Sequence, residues 1–252
     1  MGVGVDLRFD PEREERELRE YLGAAYDHDR LRRHRDQVAE EFEELGDETL
    51  FYRTSRGYLY DLTAFAMSGT KVPYVREIVS QVASPARLLD YGCGIGSDGL
   101  TLLEAGYAVE FADFDNPSAE YLRWRLDRRG LSSRVHDLDA GIPGGYDLVF
   151  SFDVIEHVPD PVAMLDELER TARLVAVNLL EGATDGDEPE MHHELPVGVL
   201  LARIARRRLV SYGLHHGRSH FVIYSPQHVG AGVRALNRAR MAATGVLSRG
   251  RW

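Results

Sequence analysis

Apolar positions follow two rhythms along this chain. The first part keeps a helical spacing, and the remainder alternates short apolar runs with amphipathic stretches. Over residues 10–48, Glu, Arg and Leu dominate, and Leu18, Tyr21, Leu22 and Ala25 recur on one helical face. That pattern predicts a helical segment, broken at Gly46-Asp47. Residues 50–70 are aromatic, with Phe51, Tyr52, Tyr58, Tyr60 and Phe65. A further helix is predicted from Val72 to Val82, stopped by Ser84-Pro85.

From Arg87 onward strands and helices take turns. Strands are predicted at Arg87–Tyr91, Tyr107–Ala112, Arg134–His136, Tyr146–Phe152 and Leu174–Asn178. Helices are predicted at Asp98–Ala105, Pro117–Arg129, Pro161–Thr171 and Pro196–Arg206. Gly106 and Gly130 stand where two of those helices end, and Pro117 suits a first turn. Two later strands, Leu209–Leu214 and His220–Tyr224, are separated only by the short His215–Ser219 turn, so they are expected to be antiparallel. Strands alternating with helices imply a parallel sheet covered by helices on both faces. The expected domains are a helical cap at 1–83, an α/β core at 84–226 and a basic, helical tail at 227–252.

Charge and cysteine content narrow the chemistry. The net charge of −11 argues against a general binder of nucleic-acid backbones. The distribution is uneven: acids crowd the first 50 residues, while ten arginines and no acid follow Glu194. These are read as solvated helix faces, or as acidic and basic ends that meet. Cys93 is the sole cysteine, which excludes an internal disulfide and a cysteine-based zinc site. The chain shows no apolar run long enough to span a bilayer and no signal-peptide pattern. A cytoplasmic location is expected, with no membrane partner.

The densest chemical signal is Asp90-Tyr91-Gly92-Cys93-Gly94-Ile95-Gly96. A strand ending in an acid is followed by a glycine loop and the start of a helix, a place to hold a nucleoside-bearing ligand. A dinucleotide fingerprint, G-x-G-x-x-G, would need a third glycine at 97, where this chain has Ser97. The glycines at 92, 94 and 96 give D-x-G-x-G-x-G instead. Such glycines let backbone approach a ligand without a Cβ in the way, and a helix N-terminus offers N–H groups to an anionic ligand group. The second strand ends in Asp113, with Phe114 and Asp115 following. An acid there, about 20 residues after the loop, can bond both ribose hydroxyls. Asp113 follows the apolar run directly and is preferred, leaving Asp115 as a helix N-terminal acid.

The loop resembles motif I of the class I S-adenosylmethionine-dependent methyltransferases. Two later segments extend the resemblance. Asp137-Leu138 stands where this family reads adenine. Tyr146 to Asp160, containing Asp153-Val154-Ile155-Glu156-His157, resembles motif IV of the ubiquinone and menaquinone type. The likeness covers roughly Arg87 to Asn178 well and the last two strands loosely. It implies a Rossmann-like, seven-stranded, mostly parallel sheet with a terminal antiparallel hairpin. It also implies a cofactor site of Asp90, Gly92, Cys93, Gly94, Gly96, Asp113, Phe114, Asp137, Leu138 and Asp153, with Asp90 near the methionine part of the cofactor. S-adenosyl-L-methionine would be the cofactor and S-adenosyl-L-homocysteine the product.

The implied activity is methyl transfer to a small-molecule acceptor, at oxygen, in secondary metabolism. Removing an acceptor proton suits a histidine, and His157 is the candidate general base, with a purely structural role as the alternative. Asp153-x-x-Glu156-His157 is also similar to the E-x-x-E-H motif of metal-dependent 2′-O-methyltransferases of small RNAs. Asp here replaces the first Glu, and His192 or His193 could add a ligand. The reading preferred from the sequence has no metal and no nucleic-acid partner. A homodimer is compatible with the chain, and an enzyme or scaffold using the same cofactor site without methyl transfer is a further alternative. His215, His216 and His220 are expected to be exposed turn residues.

Overall fold

In the computed structural model, residues 7–182 and 193–249 are described, and the chain divides into two compact units, Met1–Ile142 and Pro143–Trp252. The first unit opens with six helices: α1 (Pro11–Leu22), α2 (His28–Arg32), α3 (His34–Leu45), α4 (Glu48–Thr54), α5 (Tyr58–Ser68) and α6 (Val72–Gln81). The run expected as one helical segment at 10–48 is thus cut into three. Gly23 at φ 54° terminates α1, and the Asp27 carboxylate accepts from the N–H groups of Asp29 and Arg30 to start α2. Pro11 at the first helical position, and Asp10 accepting from the Arg13 N–H, fix the start of α1.

Next come β1 (Arg87–Tyr91), α7 (Ser97–Glu104), β2 (Ala108–Asp113), α8 (Pro117–Arg129) and β3 (Val135–Asp137), ending in a short 3₁₀ turn at Leu138–Ala140. The strands are parallel, with Tyr91 beside Ala112 and Asp113 beside Asp137. The aromatic stretch does not lie open. Leu59 and Tyr60 of α5 are buried with Leu18, Leu31, Ile95 and Tyr121, and Leu62 and Met67 pack against them. Burying several such side chains contributes roughly 1.5–3 kcal/mol each, which holds the N-terminal helices to the glycine loop and α8.

The acids of α1 find their partners on α8. Arg125 is fully buried and donates to Glu17 Oε2 (2.8 Å), Glu14 Oε1 (2.6 Å) and the Ile95 carbonyl (2.8 Å). Arg129 and Arg128 pair with Glu17 and Glu20. The acidic N-terminal region therefore meets arginines in mid-chain.

The second unit holds β4 (Tyr146–Ser151), α9 (Pro161–Thr171), β5 (Ala172–Leu180), α10 (Val197–Ile204), β6 (Arg207–His215), β7 (Ser219–His228) and α11 (Ala231–Arg249). β4 and β5 are parallel, whereas β7 is antiparallel to both β5 and β6. The basic tail thus begins as the end of β7 and becomes α11. The strand order is β3-β2-β1-β4-β5-β7-β6, a seven-stranded, mostly parallel Rossmann-like sheet with the expected terminal hairpin.

Candidate active site

Parallel strands present the loops after their carboxyl ends on one edge, where ligands of open α/β sheets bind. In the first unit three such loops converge. The β1 loop is anchored by the Gly92 and Cys93 N–H groups, both donating to the Ala112 carbonyl (2.8 and 3.1 Å). Gly96 takes φ +72°, and a Cβ there would lie 2.4 Å from Leu122 Cδ1, so both its dihedral and its contact require glycine. Gly99, in the first turn of α7, leaves room for Phe111 and for the Asp90 carboxylate.

Asp90 is 5 % exposed and accepts the Gly99 N–H at 3.1 Å. One of the N–H groups expected to face a ligand is thus already engaged by the chain. Burial, reinforced by the Asp98 carboxylate, pushes the Asp90 carboxyl well above its ordinary range against the opposing pull of Lys71 and the Gly99 N–H. Burial likewise pushes the Cys93 thiol up, aided by Asp113 and Asp90, so Cys93 is a small neutral wall residue.

Asp113 is the acid that reaches the glycine loop. Its Oδ2 accepts from the Gly94 N–H at 2.7 Å, and its Oδ1 accepts from the Phe114 N–H (2.8 Å) and Asn116 Nδ2 (3.2 Å). Burial raises its pKa, and these three donors partly offset that. Asp115 is instead exposed and ion-paired with Arg123 at 2.8 Å. It does not cap α8: Asn116 does, accepting from the Ala119 N–H at 2.8 Å, so the expected helix-terminal role moves by one residue.

On the third loop Asp137 accepts the Asp139 N–H at 3.1 Å and starts the turn containing Leu138. Asp113 and Asp137 are register partners at the ends of β2 and β3. The first unit therefore brings together Asp90, the glycine loop, Asp113, Phe114, Asp137 and Leu138. Helix α4 touches the same loops. Asn116 Nδ2 donates to the Tyr52 carbonyl at 3.0 Å, and Arg53 donates to Asp139 through Nη1 (2.6 Å) and Nη2 (2.9 Å). A separate cleft is lined by Phe65, Lys71, Ile95, Ser97 and Asp98, and Cys93 alone of the expected cofactor residues lines it.

Asp153 and His157 belong to the second unit. Asp153, just beyond β4, has φ +53°, a left-handed conformation uncommon outside glycine. The neighbouring turn is 3₁₀, Ile155–His157, with Glu156 buried and its carbonyl accepting the His193 N–H at 2.8 Å. His192 lies outside the described residues. Among the described residues no group of three or more His, Cys, Asp or Glu is arranged to hold a metal ion.

His220 departs from expectation. It is 6 % exposed, with Nδ1 at 2.6 Å from Tyr212 Oη and Nε2 at 2.8 Å from Glu181 Oε1. Antiparallel pairing of β7 with β5 draws it inside, opposite Leu179. Sequence reasoning also missed Asn116, Arg53, Arg125 and Asn178, none of which belongs to a recognisable spacing.

Residues 89–174 match a family model described as a methyltransferase domain. A ubiquinone biosynthesis O-methyltransferase of Bordetella pertussis is 30% identical over 107 residues, covering 40% of this chain and 43% of the relative. The protein of the same description from Xanthomonas campestris pv. campestris is 33% identical over 108 residues, with the same coverages. The chain thus spans less than half the length of the curated relatives it matches. Among solved structures, magnesium protoporphyrin IX methyltransferase from Synechocystis PCC 6803, with bound SAH, aligns at TM-score 0.56 and 17% identity, over 84% of this chain and all of that one. The mitomycin 7-O-methyltransferase MmcR aligns at 0.56 and 18% identity, over 86% and 73%. At such identities these two share the fold.

Proposed function

We propose that this chain, whose residues 89–174 match a methyltransferase domain, is a class I methyltransferase that transfers the methyl group of S-adenosyl-L-methionine to an oxygen of a small-molecule acceptor. The observation that carries this reading is the convergence of three strand-end loops, with Asp113 bonded to Gly94 and in register with Asp137. The residues fit the cofactor. The half-buried Asp113 carboxylate, held by the Gly94 N–H at 2.7 Å, is assigned to the ribose hydroxyls, and the missing Cβ of Gly94 lets the loop pack against Leu62 of α5, whose Cδ1 would lie 3.1 Å from that Cβ. Asp137 and Leu138 are assigned to adenine, and Asp90 to the methionine end. Gly92, Cys93, Gly96, Phe114 and Asp153 complete the cofactor residues.

A sulfonium supplies an already activated methyl group, so this chain's residues have to align the acceptor, exclude water and take one proton. We assign the proton to His157, as general base. The proposed division of the chain is an N-terminal helical cap at 1–83, a core at 84–226 and a basic tail at 227–252. Oxygen as the acceptor atom is supported by the O-methyltransferase names of the curated relatives. No helix among the described residues is long and apolar enough to cross a membrane; the proposed location is the cytoplasm and the proposed acceptor a small molecule of secondary metabolism.

Two measurements test the reading. S-adenosylhomocysteine should raise the thermal stability of the wild type, and Asp113→Ala should abolish that rise; a wild type indifferent to the ligand overturns the assignment. His157→Gln should slow turnover far more than it weakens cofactor binding, and equal turnover returns His157 to a structural role.

A further inference from the structure

Two adjacent residues of α4 grip the two loops assigned to the nucleoside. The Tyr52 carbonyl accepts from Asn116 Nδ2, whose amide also donates to Asp113. The Arg53 guanidinium makes a two-pronged bond to Asp139, two residues beyond Asp137. Its Cζ also lies 4.4 Å from the centroid of the Phe114 ring, directly after Asp113. One planar cation therefore spans from the β2 loop to the β3 loop, stacked on one and forked onto the other. This geometry is specific to arginine, whose rigid fork suits both a carboxylate and an aromatic face.

The anchorage of α4 itself explains why it can hold this position. Phe51 is fully buried, edge-on to Phe42, Tyr52 and Tyr58, and Asp47 caps the helix by accepting the Leu50 N–H. The helix is fixed to its own unit by apolar packing, and its last turn is fixed to the loops by polar bonds. Arg53 and Asp139 are themselves substantially exposed, so their pairing adds little to folding. An exposed pair that bridges two ligand-bearing loops acts on the spacing of those loops.

We propose that Arg53 is a positioning residue for the cofactor's nucleoside half: pinned by Asp139 and stacked on Phe114, it holds the ribose and adenine loops at the separation an adenosine requires. The inference rests on the cofactor assignment above. It concerns the nucleoside end only, so S-adenosylhomocysteine and free adenosine should respond alike.

The test is calorimetric titration of both ligands into the wild type, Arg53→Gln, Arg53→Lys, Asp139→Asn and the Arg53→Gln/Asp139→Asn double variant. Loss of the stacking and the fork together should raise Kd for both ligands by a common factor of about ten in Arg53→Gln. Asp139→Asn should show a smaller rise, and the double variant should be no weaker than Arg53→Gln. Arg53→Lys should fall between wild type and Arg53→Gln, because an ammonium keeps the charge without the fork. Unchanged Kd values in Arg53→Gln, tighter binding, or a loss for S-adenosylhomocysteine without one for adenosine would each overturn the proposal. Failure of the wild type to bind S-adenosylhomocysteine overturns the cofactor assignment and this inference with it, an outcome distinct from binding that ignores Arg53.

Discussion

Asp153 and Asn178 bind each other twice. The Asp153 N–H donates to Asn178 Oδ1 at 2.9 Å, and Asn178 Nδ2 donates to Asp153 Oδ1 at 2.6 Å. Asn178 is 1 % exposed and reaches Ser219 Oγ at 3.4 Å as well. The pair explains how a non-glycine residue persists at φ +53° just past β4. Such a conformation costs on the order of 1–3 kcal/mol and is held only where surroundings over-determine it. Strain of this kind at a strand end assigned to the reaction is consistent with a preorganised carboxylate.

Removing that restraint should release the strain at a cost. Asn178→Ala leaves the Asp153 N–H and carboxylate without these partners, and the expected loss of stability is about 1–3 kcal/mol. Turnover should fall further than stability, because Asp153 then leaves its fixed orientation. Thermal denaturation beside single-turnover kinetics checks this. A variant with native turnover would show that the Asp153 conformation serves folding alone.

The pH dependence of the first unit should follow Glu17. Burial raises its carboxyl, but Arg129 and Arg125 outweigh burial and hold it down to about 2 from an ordinary 4.5. A depressed folded pKa means stability that is complete above the unfolded value and is lost as pH falls toward the folded one. Acid should therefore loosen α1 from α8 between about pH 5 and pH 2. Trp124 of α8, stacked on Tyr121 and beside Tyr21 of α1, is the fluorescent reporter. Glu17→Gln should flatten the transition; an unaltered profile would place the acid sensitivity elsewhere.

Asp90 should show the opposite sign. Its carboxyl is pushed up by burial and by Asp98, so the ionised form destabilises the fold, and that cost grows as pH rises through the raised pKa. Asp90→Asn keeps an oxygen for the Gly99 N–H and removes the charge. Its melting temperature should rise by about 2–4 °C, while affinity for S-adenosylmethionine drops. A fall in melting temperature would mean that the ionised carboxylate contributes to folding.

How much of this was readable from sequence depends on the separation of partners. β1, β2 and β4 are apolar runs bounded by acids and glycines, so their ends and the acids on them stood out. Asp90 and Asp113 stand at the ends of such runs, whereas Asp137 ends the three-residue β3 and is legible only through the family resemblance. The contacts that hold the surrounding elements in place come from far along the chain: Glu17 is 108 residues from Arg125, Arg53 is 86 from Asp139, and Asp153 is 25 from Asn178. No periodicity encodes such pairs. The N-terminal helices are more numerous than their composition implies because Gly23 and Asp27 interrupt a pattern that is helical throughout. The burial of His220 is not legible locally because it depends on β7 lying between β5 and β6.

Gly99 separates local propensity from packing. In a helix Gly→Ala ordinarily stabilises by about 0.5–1 kcal/mol. At Gly99 a Cβ would stand 2.4 Å from Phe111 Cε1 and 2.7 Å from Asp90 Oδ2, inside van der Waals contact with a fully buried ring and a buried carboxylate. Helix α7 would have to move off the sheet, or Asp90 would have to turn away from the Gly99 N–H. Gly99→Ala should therefore destabilise by about 1–3 kcal/mol, the cost of overpacking a core. Gly198→Ala in α10 is the control, because nothing lies within 4 Å of its missing Cβ and its φ is not left-handed; it should be neutral or stabilising. Chemical denaturation of the two variants side by side gives the comparison. Equal stabilisation of both would mean that the α7–sheet contact yields easily, and that the glycine at 99 is there for the ligand rather than for the packing of Asp90.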